Sequence, residues 1–190
     1  MNEISQRLLI GLAALSLSLG AMAAELDYDY VEVRYVDAEL DNVSADGDGI
    51  LIGGSYSLTD EWLLVGSYRD LGFDFGIDAS LLEVGAGYIV PTETAFDILG
   101  YARLVRSKAE AGGFEDSENG FSVSVGARGM INNDFEVRAF LNHIDVDDSD
   151  TFLEFAGDYY INRQFAVGAS IELGGDADVF TIGGRFFFNQ

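Results

Sequence analysis

The sequence predicts an all-β fold: an antiparallel up-and-down transmembrane β-barrel of about ten strands, with eight strands as the alternative. Apolar and polar residues alternate with a period of two through most of the chain, as in strands whose two faces meet different surroundings. Glycine is abundant at 23 residues and proline occurs once, which suits long strands joined by tight turns. No stretch after the N-terminal segment resembles a spanning helix, so membrane residence would require a barrel.

The first element, residues 1–23, has the pattern of a secretory signal peptide. Arg7 ends a short polar region, Leu8 to Leu19 forms an apolar core, and Ala21-Met22-Ala23 fits the small-x-small cleavage rule. The core is shorter than the roughly 20 apolar residues that a membrane helix needs. We therefore expect an exported protein whose barrel domain covers residues 24–190.

Ten strand candidates follow, and most have about the 9–11 residues with which a tilted strand crosses a bilayer. The last candidate alternates most clearly, because Phe180 and Ile182 lie on one face while Thr181 and Arg185 lie on the other. The third candidate is ambiguous, since Leu63-Leu64-Val65 blurs its pattern. The candidates are residues 28–38, 48–58, 62–71, 79–90, 95–106, 119–130, 135–146, 151–161, 165–174 and 178–188.

The links between these candidates alternate in kind. Outer-membrane barrels have short periplasmic turns and longer extracellular loops. The first set of links is short and made of turn-forming residues: 59–61, 91–94, 131–134 and 162–164. The second set is mostly longer, acidic and glycine-bearing, at 39–47, 72–78 and 107–118, although 147–150 and 174–177 are short. This partial asymmetry predicts that the first set faces the periplasm.

A period of two leaves open whether the apolar face is turned inward, as in a soluble lipocalin-like barrel, or outward to lipid. Lipid outside is favoured because Lys108 is the chain's one lysine, whereas solvated sheet faces usually carry several. An arginine turned to lipid would cost about 2–4 kcal/mol near the midplane. Aromatic residues also cluster beside the short turns, as in an interfacial girdle: Tyr56, Trp62, Tyr88, Phe96, Tyr159, Tyr160 and Phe165.

The polar faces therefore predict a charge network inside the barrel. Buried arginines and carboxylates must be paired and hydrogen-bonded. The network either fills the lumen or leaves a polar pathway for small solutes. A ten-strand barrel is only slightly wider than the eight-strand kind that side chains fill, which favours a closed or very narrow lumen. Its predicted members are Glu32, Arg34, Arg69, Glu83, Asp97, Arg103, Arg128, Glu136, Arg138, Glu154, Asp158, Glu172 and Arg185.

Composition excludes several functions. The net charge of −23, from 33 acidic and 10 basic residues, argues against nucleic-acid partners, which require a basic face. The chain has no cysteine and hence no disulfide or thiolate metal site. We expect no cofactor, with calcium or magnesium at the acidic loops 46–49, 145–150 and 176–178 as the alternative to plain surface acid.

Four residues near the predicted outer rim suggest further chemistry. His143 is the only histidine and Asp145 lies two residues later, the types that activate water or a serine. Nothing in the sequence completes such a site, so we expect no enzyme activity and a solvated rim histidine. Arg106 and Lys108, at the outer end of one strand, are candidates for contacting a lipid phosphate.

Several short segments carry a resemblance. The Arg185-Phe186-Phe187-Phe188 finish resembles that of small outer-membrane β-barrel proteins of the OmpA/OmpX type. Tyr28–Glu32, Ala45–Gly49, Gly54–Ser57 and Gly66–Tyr68 resemble a porin-like family of small exported barrels. The resemblance implies residence in a Gram-negative outer membrane beside lipid and lipopolysaccharide. It also implies insertion by the barrel-assembly machinery, which reads a final aromatic residue.

The expected function is thus a structural or surface-interaction role for an integral outer-membrane barrel with a charged, mostly plugged lumen. A narrow porin-like channel for small solutes is the alternative. An outer-membrane enzyme at the rim comes third.

Overall fold

The computed structural model describes residues 26–40 and 45–188, and within them ten strands form one closed antiparallel barrel. This confirms the predicted fold and the predicted number of ten strands, and not the alternative of eight. The predicted signal peptide lies outside the described residues. The strands are β1 (Tyr30–Leu40), β2 (Asp46–Ser57), β3 (Trp62–Phe73), β4 (Ile77–Val90), β5 (Phe96–Ala111), β6 (Phe114–Asn132), β7 (Phe135–Val146), β8 (Asp148–Tyr160), β9 (Phe165–Leu173) and β10 (Ala177–Phe187).

Each strand pairs with its neighbours in the chain, and β1 also pairs with β10, which closes the ring. Arg34 of β1 therefore lies between Leu51 of β2 and Gly183 of β10. The small residue at position 183 leaves room for the long Arg34 side chain, because a Cβ there would lie 2.8 Å from the Cγ of Arg34. Closure thus depends on side chains of complementary size in adjacent strands.

The two faces of the strands differ as the period of two predicts. In β1, Val31 and Val33 are 51% and 56% exposed on the outside, whereas Arg34 is 2% exposed on the inside. In the ambiguous strand β3, Leu63 is buried and Leu64 is exposed, so the alternation continues there as well. Around the middle of the barrel the outer surface is consequently apolar, and the charged side chains there lie within the ring.

The strands on the side away from the termini extend further than the sequence suggested. The prediction of a long link at 107–118 is wrong, since Lys108 pairs with Ser117 and Ala111 with Phe114. Only Gly112 and Gly113, with φ of 60° and 86°, form the turn. Glycine accommodates this backbone at no steric cost, so the ladder of hydrogen bonds continues almost to the tip. The link at 72–78 is likewise reduced to a single 3₁₀ turn, Asp74–Gly76.

Residues 107–119 form what we call the projecting hairpin. The pairing of β6 with β7 begins at Phe121 opposite Asp145, so the preceding part of β6 pairs with β5 alone. Phe114 near its tip is 84% exposed. The hairpin therefore extends beyond the end of β7, while residues 77–81 of β4 still pair with its β5 side.

Two apolar clusters lie inside the ring. Near the terminal side, Tyr28, Leu63, Ile89, Leu99 and Phe140 pack together. Near the opposite side the cluster is formed by Val36, Ala38 and Val179. In the described part of the chain no helix has the length and apolar character to cross a membrane. The charged residues of the lumen lie mainly between these two clusters.

Candidate functional site: the barrel lumen

The charged residues assigned to the lumen from sequence all occupy inward-facing positions of their strands. They form two hydrogen-bonded groups joined by Arg185, together with two pairs on other strands and Asp97 near the terminal side. Alternation places them on one face of each strand. Which of them meet is decided by the pairing of strands that are distant in sequence.

The first group centres on Glu136, whose side chain is fully buried. Arg128 donates from Nε and Nη2 to the two carboxylate oxygens at 2.7 and 2.8 Å. Arg185 Nη1 donates to the same carboxylate at 3.2 Å, and the Tyr160 hydroxyl does so at 2.6 Å. Arg185 also donates from Nη2 to Glu32 at 3.2 Å, which connects this group to the next.

The second group centres on Asp158, which two arginines share. Arg34 Nη2 donates to Oδ1 at 2.8 Å, and Arg138 Nη1 donates to Oδ2 at 2.7 Å. The Nε atoms of the same arginines donate to Glu32 at 2.9 Å and to Glu154 at 3.1 Å. Each carboxylate thus has a guanidinium partner, as charge burial in a low-dielectric interior requires.

The remaining pairs differ in strength. Arg69 donates two hydrogen bonds to Glu172, at 3.2 and 2.5 Å, in the fork geometry of a strong pair. Arg103 lies 3.7 Å from Glu83, beyond hydrogen-bonding distance. Glu83 instead accepts from the Ser122 hydroxyl at 2.6 Å. Arg103 is therefore less completely paired than Arg69.

Residues 26–29, which we call the terminal plug, fill the terminal end of the lumen. The Tyr28 hydroxyl donates to Asp97 at 2.8 Å, and the Arg128 guanidinium lies 4.7 Å from the centre of the Tyr28 ring. Arg128 Nη2 also donates to the carbonyl of Asp27 at 2.9 Å. The backbone N–H of Ser57 donates to the Asp29 carboxylate at 2.5 Å. The plug is thus tied to the barrel by side-chain and backbone contacts together.

Sequence reasoning missed the aromatic part of this layer. Phe187 is fully buried and stacks on Tyr160 at 5.2 Å between ring centres, and Phe140 packs against Tyr101 at 5.5 Å. Phe187 and Tyr160 have the same parity as the inward residues Arg185 and Asp158, which was the available signal. The prediction that Tyr160 belongs to the interfacial girdle is wrong, because its hydroxyl reaches Glu136 inside the ring. Sequence reasoning assigns Phe187 to neither face.

Beyond this layer, on the side away from the termini, the lumen contains a cavity of about 350 Å³. We call it the outer cavity. Its wall combines guanidinium, carboxylate, amide and hydroxyl groups, including those of Arg34, Arg69, Arg103, Glu83, Asn142 and Glu172. Such a wall offers donors and acceptors to a small polar molecule.

The rim candidates take no part in the charge network of the lumen. His143 Nδ1 lies 2.8 Å from the hydroxyl of Thr151 in the neighbouring strand. Arg106 is exposed, and Lys108 donates to Glu110 and Glu115, which raises the pKa of its ammonium group above the ordinary value. Within the described residues no group of three or more His, Cys, Asp and Glu is arranged to hold a metal ion.

Comparisons with known proteins agree with this architecture. A family model described as outer membrane protein beta-barrel domain matches residues 9–172. A search of curated proteins found no match. The β domain of the Bordetella autotransporter BrkA is 14% identical with a TM-score of 0.51, over 86% of this chain and 100% of that chain.

Two further solved structures are similar. Neisserial surface protein A is 15% identical with a TM-score of 0.46, over 84% of this chain and 96% of that chain. The N-terminal β-barrel domain of Pseudomonas aeruginosa OprF is 16% identical with a TM-score of 0.46, over 85% of this chain and 98% of that chain. The likeness to the BrkA domain, at 14% identity, concerns the fold alone.

Proposed function

Because the chain belongs to the outer membrane protein β-barrel domain family and resides in the bacterial outer membrane, we propose that it serves there as a structural or surface-interaction barrel with a closed lumen. The observation that carries the proposal is the continuous layer of paired charges and aromatic rings near the terminal end. In this layer the terminal plug packs beside Arg128 and Glu136.

The closed lumen follows from the cost of opening this layer. A water path through it would have to displace the Tyr28 ring from the Arg128 guanidinium, or separate Arg128 from Glu136 or Arg34 from Asp158. Both ion pairs are almost fully buried. Removing one partner of a buried ion pair typically costs about 3–5 kcal/mol. A conformation with such a pair broken would thus be populated by less than about one molecule in a hundred.

The surface role is supported by the outer parts of the molecule. The projecting hairpin presents the exposed Phe114 beyond the rim. Arg106 is exposed at its base, whereas the charge of Lys108 is already paired with Glu110 and Glu115. We therefore favour Arg106 as the residue that contacts a lipid or lipopolysaccharide phosphate.

Conductance across a planar bilayer tests the closed lumen. The purified full chain, folded in detergent and inserted into the bilayer, should give no reproducible conductance steps. Insertion is verified separately by the heat-sensitive electrophoretic mobility of folded barrels. Reproducible steps from correctly folded protein would overturn the proposal.

A narrow channel for small solutes is the second candidate, and the outer cavity favours it because the lumen is already open over part of its length. Conductance steps that disappear or change selectivity in Arg103→Gln and Arg128→Gln would support the channel. We propose no catalytic role for His143, and a hydrolytic activity lost in His143→Ala would contradict this.

A further inference from the structure

The outer cavity contains an incompletely paired guanidinium. Arg103 Nη1 donates to the hydroxyls of Ser122 and Ser124 at 3.4 and 3.2 Å. The carboxylate of its ion-pair partner, Glu83, is 3.7 Å away. The Arg103 side chain is 19% exposed, so part of it faces the open space of the cavity. A guanidinium forms its strongest contacts with two oxygens of one carboxylate, and Arg103 lacks this arrangement.

A chain of hydrogen bonds leads from Arg103 to a second unpaired donor. Arginine can only donate, so Ser124 accepts from Arg103 and passes its own hydrogen to Asn142 Oδ1 at 2.6 Å. In this arrangement the amide oxygen of Asn142 is occupied, and its Nδ2 has no acceptor among the described residues. Asn142 is only 8% exposed and lines the outer cavity.

Arg34 supplies an independent donor to the same cavity. Its Nη1 atom is buried and has no acceptor within the described part of the chain, although Nε and Nη2 are paired. A buried polar group without a partner costs about 1–3 kcal/mol. Within residues 26–40 and 45–188, the buried groups around this cavity that lack a partner are donors, and none is a carboxylate. This indicates that an acceptor oxygen belongs inside the cavity.

We propose that the outer cavity binds a small monocarboxylate, with Arg103 and Asn142 donating to its two oxygens. The planar guanidinium and the planar amide suit the two coplanar oxygens of a carboxylate better than a tetrahedral anion. The volume lies near the lower limit of ligand cavities, about 300–1,000 Å³, which admits one small molecule.

The charges around the cavity restrict the ligand further. Asp150 and Asp176, which are held together by a hydrogen bond of 3.2 Å, line it on the side away from the termini. Their negative charge disfavours an anion with several charges, and this is why the inferred ligand carries a single carboxylate. The inference goes beyond the proposed function and does not require transport, since binding from the outer side needs no opening of the terminal plug.

Nuclear magnetic resonance of the detergent-folded full chain tests the site directly. Propionate should shift the side-chain amide resonance of Asn142 and the backbone amide of Ser124 in a saturable manner. We expect a dissociation constant on the order of 1 mM, as befits a ligand held by few contacts. Propionamide has the same shape without the charge and should cause no saturable shift.

Two variants and a matched control complete the test. Asn142→Asp replaces the free donor with a negative charge and should weaken propionate binding at least about tenfold, read from Ser124. Arg103→Gln should do the same. Asn119→Asp adds the same charge on the exposed hairpin and should leave the affinity unchanged. No saturable shift, equal shifts with propionamide or inorganic phosphate, or unchanged binding in both cavity variants would overturn the proposal.

Discussion

Glu136 illustrates at the level of a single residue how the lumen tolerates buried charge. Its two oxygens accept hydrogen bonds from Arg128, Arg185 and Tyr160. These protein donors replace the water that would surround an exposed carboxylate. Both arginines lie almost completely out of contact with water. Their positive charges are therefore acceptable only while Glu136 is ionised beside them.

Glu136→Gln should accordingly destabilise the barrel by about 3–5 kcal/mol, because it leaves two buried guanidiniums with one less counter-charge. Urea titration of the protein folded into lipid vesicles measures the free energy of unfolding. Lys108→Gln is the control, since it breaks an exposed ion pair and should change stability by less than about 1 kcal/mol. Equal effects of the two substitutions would contradict the structural importance of the inner layer.

At the level of the strands, β8 and β9 approach closely where Asp158 meets Gly168. A Cβ on Gly168 would lie 2.7 Å from Cγ of Asp158. The glycine thus leaves space for the carboxylate that Arg34 and Arg138 share. Glycine weakens most strands, and here that loss is offset by the room it gives the ion-pair network.

Gly168→Ala should displace Asp158 and destabilise the barrel by about 1–3 kcal/mol, the usual cost of overpacking. Gly100→Ala is a suitable comparison because the nearest group to its added Cβ is the Ser124 carbonyl at 3.9 Å. That variant should unfold within about 0.5 kcal/mol of the parent. The same urea titration distinguishes them, and a Gly168→Ala protein as stable as Gly100→Ala would refute the packing argument.

The terminal plug is a second element whose contribution is measurable. Tyr28 is 8% exposed, and its ring packs against the terminal apolar cluster while its hydroxyl bonds to Asp97. Removal of the ring would leave a gap in the layer that closes the lumen. Removal of the hydroxyl alone would leave the ring in place.

We therefore expect Tyr28→Ala to give ion conductance in planar bilayers where the parent gives none. Tyr28→Phe should remain closed, because the aromatic ring blocks the path and the hydroxyl only positions it. Conductance in the phenylalanine variant would assign closure to the hydrogen bond with Asp97. A closed alanine variant would show that the deeper ion-pair layer seals the lumen by itself.

For the whole molecule, the sequence predicted the strands and their faces because a period of two is a local property. The resemblance to small outer-membrane barrels is confirmed by the family match. The contacts that Phe187 and the terminal plug make inside the ring were not predicted, since they depend on Tyr160, Arg128 and Asp97. These partners lie far away in the chain, and alternation carries no information about them.

The orientation of the barrel faces is tested by the single tryptophan. Trp62 is 49% exposed on the outside, beside Tyr88 at 4.9 Å between ring centres, close to the turn at 58–61. Outward aromatic residues at such a level form an interfacial girdle. Lipids brominated near the head group should therefore quench its fluorescence more than lipids brominated near the chain end. Absence of quenching by either lipid would contradict an apolar face turned to the membrane.

Each strand has one apolar and one ionic face, so a shift in register between neighbouring strands is strongly unfavourable. Displacing β10 by one position along β1 would turn Arg185 toward hydrocarbon and Phe186 toward carboxylates, because side chains alternate at every residue. A barrel with this shifted register would be destabilised by charge in the lipid and by apolar side chains among the carboxylates of the lumen. The alternation of apolar and ionic faces therefore fixes the register of the strands independently of the loops.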